Sequence, residues 1–335
     1  MIPPATSTVQ PVVDVHLGPG DLAAALRADI LSGLTSEPKE LQPKWLYDER
    51  GSELFEQITR LEEYYPTEAE REILSTNAAA IVAAADADTI VELGAGTGDK
   101  TRALLDAARD HGRLERFVPF DVSEEFLRST ATTLAELYPG LLVHGVVGDF
   151  DRHLDRIPAG GRRLVVFLGG TIGNYAPGPR GELLRRIAAG MAPGDHFLLG
   201  TDLVKDPARL ELAYDDPAGV TAAFTKNVLA VLNRELDADF ELDRFDAVAT
   251  WDATQEWVDL GLRSRVDQRV RVDALGLDVD FDAGEFMRTE VSAKFRIEEF
   301  TAELAAAGLD VEHWFTDRAG DFSVSLSVRR ADAAR

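Results

Sequence analysis

Cysteine is absent from the 335 residues. Disulfides, thiolate nucleophiles and cysteine-ligated zinc are therefore excluded. The six histidines, His16, His111, His144, His153, His196 and His313, stand far apart. None forms a closely spaced pair of metal ligands, so no metal is expected. Basic residues are scarce: Lys plus Arg is 35 against 59 Asp plus Glu, a formal charge of −24. Such a surface repels phosphate backbones and anionic lipid, so neither nucleic acid nor a membrane is expected as a partner. No apolar run reaches the roughly 18 residues of a membrane span. The first twenty residues lack a basic stretch followed by an apolar core, so a cytoplasmic location is the expectation. Coiled-coil heptads are missing too, which leaves a monomer as the expected state.

What is present is an ordinary globular composition, 45 % hydrophobic and 28 % charged, long enough for one large domain or two smaller ones. Residues 1–20 are rich in Pro, Thr and Val without periodicity, and read as a flexible arm. Helices are predicted from Asp21, from Gly51 to Leu61, and from Glu68 to about Ala85. Thr67 and Glu70 have the spacing of a capping box for the last of these. From Asp88 onward apolar runs at 89–93, 116–120, 142–146, 164–168 and 196–201 alternate with helical patterns at 100–110, 123–137 and 179–191. That alternation specifies an α/β fold with a mostly parallel sheet. A helix from Ile297 and a hairpin over 310–316 and 321–329 would complete the sheet with one antiparallel strand. The segment between about Lys205 and Ala293 breaks the alternation. Its long helical pattern, Val220 to Leu236, and its strand-like runs are expected to pack with residues 21–67 as a second, α+β domain.

The first strand runs into Val91-Glu92-Leu93-Gly94-Ala95-Gly96-Thr97-Gly98-Asp99-Lys100-Thr101. A glycine turn between strand and helix brings backbone N–H groups close to a ligand. The spacing fits the dinucleotide fingerprint poorly, and no Gly-Lys-Ser/Thr follows as in a P-loop. Two features sharpen the reading. Asp121 ends the second strand 25 residues after Gly96, where a carboxylate can take both hydroxyls of a ribose. Asp149 and Phe150 follow the third strand and offer an acceptor and an aromatic face to an adenine. Each acid alone also reads as a solvated strand end, and Lys100 alone as a surface lysine. Together these residues resemble class I Rossmann-like methyltransferases, whose S-adenosylmethionine has a ribose and an adenine but no phosphate. The resemblance implies Gly94, Gly96, Lys100, Asp121, Asp149 and Phe150 as cofactor contacts, with Lys100 at the methionine carboxylate and S-adenosylhomocysteine as product.

A second set of motifs lies outside that cofactor half. They include Pro43-Lys44-Trp45-Leu46-Tyr47-Asp48, Glu63-Tyr64-Tyr65-Pro66-Thr67, Phe167-Leu168-Gly169-Gly170-Thr171-Ile172-Gly173-Asn174, Tyr214-Asp215-Asp216, Phe224-Thr225-Lys226-Asn227 and Thr289-Glu290-Val291-Ser292-Ala293-Lys294-Phe295. Over nearly the whole chain after residue 20 the sequence resembles the histidine-specific methyltransferase family. The resemblance implies trimethylation of the α-amino group of L-histidine to its betaine, hercynine, a step towards ergothioneine. It implies that Asn174 and Tyr214 hold the carboxylate and amine of the substrate. Tyr64 would lie against the amine and imidazole as proton acceptor or relay, with Tyr47 behind it through water. Glu290 and Ser292, two apart and so on one face of a strand, would bind the imidazole. Gly169 and Thr171 are further candidates for substrate contact. Leu260 falls at the wall of the ring pocket, where relatives often carry Met of similar volume. The implied division is a cofactor domain over 68–205 and 294–335 and a substrate domain over 21–67 and 206–293. Two alternatives stay open at this point: an Nα-methyltransferase of another amino acid such as tryptophan, and a cofactor-binding protein without turnover.

Overall fold

The computed structural model describes residues 10–18, 20–96, 98 and 100–331. The alternating apolar runs become β2 (Thr89–Leu93), β3 (Arg116–Asp121), β4 (Leu142–Val147), β5 (Arg163–Phe167) and β6 (His196–Asp202). They join β1 (Val12–Val15), β12 (Leu309–Thr316) and β13 (Phe322–Arg329) in an eight-stranded sheet, order β1-β4-β3-β2-β5-β6-β13-β12. All pairings from β1 to β6 are parallel, and β13 runs antiparallel to both its neighbours. Every residue of β2, β5 and β6 is buried, as strands covered on both faces must be. Helices α3 (Pro66–Ala85), α4 (Arg102–His111) and α5 (Glu124–Leu137) pack on one face. Helices α6 (Pro177–Ala189) and α9 (Ile297–Ala306) pack on the other. The chain order reverses between β2 and β5, and a ligand crevice lies beyond the strand ends at such a point.

The expected arm over residues 1–20 is corrected in its described part. Val12–Val15 form a strand that pairs in parallel with β4, from Val12 against His144 to Val15 against Val147. Backbone bonding to an otherwise open sheet edge drives it. Val12 and Val15 are themselves exposed, so no periodicity announces the strand. The rest of that expectation, residues 1–9 and 19, lies outside the described residues.

A separate apolar core gathers residues from 26–65 and from 210–287. It is built from α1 (Asp21–Thr35), α2 (Glu49–Ile58), α7 (Pro207–Tyr214) and α8 (Val220–Leu236). Against these lie two small sheets. One is β11-β8-β7, made of Phe286–Ala293, Trp257–Ser264 and Phe245–Asp252. The other is the β9–β10 pair, Gln268–Val272 and Leu277–Phe281. The two bodies meet where β11 ends. Phe295 N–H donates to the Asp202 carbonyl at 2.8 Å, and Val204 N–H donates to Phe295 O at 3.1 Å. The last residues of β11 are thereby delivered to the end of β6, beside the crevice.

Candidate active site

The cofactor half is assembled at three neighbouring strand ends. Gly94 and Gly96 follow β2 with φ of +73° and +46°, a left-handed backbone that a side chain strains. A Cβ at Gly96 would meet nothing within 4 Å, and one at Gly94 would face the Phe150 ring at 3.5 Å. The loop is therefore an open cradle opposite an aromatic face. Gly96 N–H donates to Asp121 Oδ2 at 3.1 Å, and Ser123 N–H donates to Oδ1 at 3.0 Å. Burial raises the Asp121 pKa, and these backbone bonds work against it. Phe150 stacks on Phe120 at 5.5 Å between centroids. Asp149 accepts from Asp151 N–H at 2.7 Å and has Lys44 Nζ at 3.7 Å. Donor, acceptor and aromatic groups thus suit a ribose and an adenine, with no cluster of cations for phosphate.

Glu70 was expected to cap a helix beginning at Glu68, and the structure corrects this. α3 begins at Pro66, whose ring occupies the first turn and needs no N–H partner. The Glu70 side chain turns inward and is fully buried. It accepts Gly169 N–H at 2.8 and 3.0 Å and pairs with Lys100 Nζ at 2.6 Å. A Cβ on Gly200 would strike its Oε1 at 2.1 Å, so glycine there makes the room. Lys100 thus reaches the crevice with its charge shared, and the Gly169 N–H is committed to Glu70. Thr171 donates its hydroxyl to Leu168 O at 3.2 Å.

The substrate half is brought together from four parts of the chain. Tyr64 sits in the loop before α3, Tyr214 ends α7, Asn174 ends a single 3-10 turn after β5, and Glu290 and Ser292 lie on β11. Tyr64 and Tyr214 meet edge to face, 6.0 Å between centroids. Tyr47 lies edge-on to Phe55 and Phe224 at 5.4 and 5.2 Å. Gly173 lets the 3-10 turn press against β11, since a Cβ there would stand 2.9 Å from Ala293 O. The Asn174 amide then hydrogen-bonds Glu290. A register shift before Glu290 re-aims the strand. Thr289, within the shift, and Val291 and Ala293 beyond it are buried. Leu260 pairs directly opposite Glu290, which puts the two side chains on the same face.

Burial dominates the electrostatics. It raises the pKa of Tyr47, Tyr64 and Tyr214, with Glu290 a further contributor at each. These phenols stay protonated. Glu290 is pushed up to about 7 by burial, with Lys294 and the Asn174 bond pulling the other way. Behind the site lies a network the sequence reading left unassigned. Asp202 accepts from Tyr65 OH at 2.8 and 2.9 Å, from Lys205 Nζ at 2.5 Å and from Lys294 Nζ at 2.8 Å. Burial would raise the Asp202 pKa, but Lys294 and Lys205 outweigh it and hold the carboxyl below its ordinary value. Tyr65 is therefore part of an ion-pair network. No signal in the sequence joins positions 65, 202, 205 and 294.

Among the described residues no group of acidic or histidine side chains could hold a metal ion, and no helix is long and apolar enough to cross a membrane. Residues 26–329 match the family of histidine-specific, SAM-dependent methyltransferases. The chain is 59 % identical over 314 residues to the histidine N-alpha-methyltransferase of Mycolicibacterium smegmatis, covering 94 % of this chain and 98 % of that one. The same figures hold for the histidine N-alpha-methyltransferase of Mycobacterium tuberculosis. An L-tryptophan methyltransferase of Psilocybe serbica is 29 % identical over 338 residues, 91 % of this chain and 92 % of that one. On this match, and with a glycine cradle, strand-end carboxylates and a polar pocket at one crevice, the chain belongs to the histidine-specific, S-adenosylmethionine-dependent methyltransferase family.

Proposed function

We propose that this protein transfers three methyl groups from S-adenosylmethionine to the α-amino nitrogen of L-histidine, giving the trimethylated betaine hercynine for ergothioneine synthesis. The observation that carries the reading is Tyr64, Asn174, Tyr214, Glu290 and Ser292 converging beside the cofactor cradle. Asp121 would hold the ribose hydroxyls, Asp149 and Phe150 the adenine, and Lys100 the methionine carboxylate. When bound, the cofactor supplies a methyl group already activated by a sulfonium. The protein's part is then to place a nitrogen lone pair in line with it. Asn174 and Tyr214 would fix the carboxylate and amine, and Glu290 and Ser292 the ring. Each transfer requires the nitrogen to lose one proton. Tyr64 stays protonated through burial, the neighbouring Tyr214 and Glu290, so it relays that proton through its hydroxyl rather than storing negative charge as a phenolate. We read residues 21–67 and 206–293 as the substrate domain and 68–205 and 294–335 as the cofactor domain of a cytoplasmic monomer.

Mass spectrometry of histidine incubated with enzyme and cofactor tests the reading. A gain of three methyls on the α-nitrogen is expected, and methylation on the ring, or none, defeats it. A panel of free amino acids separates histidine from tryptophan, and cofactor binding without turnover on any amine would mark a binding protein. Glu290→Ala is expected to lower histidine use at least tenfold while leaving S-adenosylhomocysteine affinity nearly unchanged. Equal loss of both by calorimetry would remove Glu290 from the substrate pocket.

A further inference from the structure

Lys294 has a fully buried side chain. Its ammonium has three hydrogens and three partners: Asp202 Oδ2 at 2.8 Å, Ser292 Oγ at 2.7 Å and Tyr214 OH at 2.9 Å. Ser292 Oγ and Tyr214 OH also bond each other at 2.7 Å. An ammonium donates and never accepts. Both hydroxyl oxygens therefore accept from Lys294, and neither hydroxyl hydrogen points back at it. One hydrogen bridges Ser292 and Tyr214. Whichever way that bridge runs, the oxygen that receives it is filled by two donors and its own hydrogen is free, while the other oxygen keeps a single open lone pair. Asp202 holds the ammonium from behind, fixed in turn by Lys205 and the Tyr65 hydroxyl. The other ionisable groups around the cluster are Tyr47, Tyr64 and Glu290 on the pocket side, Glu70 beside Tyr64, and Asp321 beside Tyr65 and Lys205.

We propose that Lys294 is a positioning residue that sets the polarity of the ring pocket: by filling two lone pairs of the Ser292–Tyr214 pair it biases the pair towards donating, while Glu290, two residues before Ser292 on β11, accepts. The inference rests on the functional reading above and deepens it. A pocket with a favoured donor and, in the carboxylate form of Glu290, an acceptor matches a ring with one bare nitrogen and one N–H, the neutral imidazole. An indole has an N–H but no bare nitrogen and would leave the donor unpaired, a larger penalty than a missing apolar contact. Lys294 touches no substrate atom. It acts through two hydroxyls, and through them it separates histidine from other aromatic amino acids.

Calorimetry on the enzyme loaded with S-adenosylhomocysteine tests this with three kinds of ligand. L-Histidine carries both ring features. The two isomeric thiazolylalanines keep a bare ring nitrogen, at one position or the other, and no N–H. The two isomeric pyrrolylalanines keep the N–H and no bare nitrogen. Lys294→Met is expected to weaken histidine and the better thiazolylalanine at least tenfold, and the better pyrrolylalanine less than threefold. S-Adenosylhomocysteine affinity should hold within threefold, which shows the variant folded. Equal losses for all three ligands would mean that Lys294 is merely structural and would overturn the proposal. The wild-type enzyme provides a measurement independent of any variant: the better thiazolylalanine should bind at least tenfold more tightly than thienylalanine, which has neither feature. No difference there also overturns it. If wild-type enzyme leaves histidine unmethylated, the functional reading falls and this inference with it. If histidine is trimethylated and the ligands respond equally, only this inference falls.

Discussion

Glu92 shows how a single side chain carries a cost at the site. It is the penultimate residue of β2, just before the glycine cradle, is buried, and takes a hydrogen bond from the Thr101 hydroxyl. Its Oε2 has no partner among the described residues. Burial pushes its pKa to about 8, against the Thr101 bond and Lys100, which lower it. The unfolded chain ionises this group near its ordinary pKa, about 4.3, while the folded protein keeps the proton to about 8. Between those values the folded state binds more protons, so stability falls as pH rises. Glu92→Gln is expected to stabilise the ligand-free enzyme by on the order of 2–3 kcal/mol near neutral pH, and much less at pH 5. Denaturant midpoints at pH 5 and pH 8 check this; the same gap at both would refute it. Residues of this kind differ in how readable they are. Asp121 is legible only together with the glycine turn and with Asp149 and Phe150, because an acid at a strand end alone also reads as solvated. Strand periodicity puts Glu290 and Ser292 on one face, but only the family resemblance gives that face a role. Glu70 is misread, because a local capping pattern explains it before its partner Gly169, 99 residues away, comes into view.

At the scale of elements, the contact between the 3-10 turn after β5 and strand β11 decides the geometry of the pocket. Gly173 permits it by approach alone, since its Cβ position lies 2.9 Å from one backbone oxygen of β11 and 3.3 Å from one backbone nitrogen. Backbone cannot swing aside as a side chain can. Gly173→Ala should push the turn from the strand and part Asn174 from Glu290, at a stability cost of about 1–3 kcal/mol. The KM for histidine should rise at least tenfold while S-adenosylhomocysteine affinity changes little. An unchanged KM would show that the turn does not set the pocket. Most helices and central strands were predictable within a few residues, because buried strands and amphipathic helices write their periods locally. Strand β1 was not, because its edge pairing leaves its valines outside the core. The start of α3 differs from the expectation because Tyr65, not Thr67, is its cap and Pro66 is its first helical residue.

Across the whole molecule, Asp202 ties the two bodies together. It ends a strand of the large sheet, yet it bonds Tyr65 from the loop before α3 and Lys294 from beyond the small sheet. Removing its charge would leave Lys205 and Lys294 buried beside a neutral group. Asp202→Asn is expected to cost about 3–5 kcal/mol of unfolding free energy at pH 7. Equilibrium denaturation measures this, and a loss below about 1 kcal/mol would show that the network is not a structural joint. By itself the sequence determined the α/β alternation, the glycine cradle and the acids at the strand ends. Those features lie within one stretch of chain, where hydrophobic period and turn chemistry act between near neighbours. The family resemblance named the candidate pocket residues, and only the tertiary structure decided how they bond one another and what stands behind them. Tyr65 and Asp202 are 137 residues apart, and Tyr214 and Ser292 are 78 apart. Contacts of that span arise from how two cores dock against each other, and no local rule of periodicity, capping or spacing encodes it.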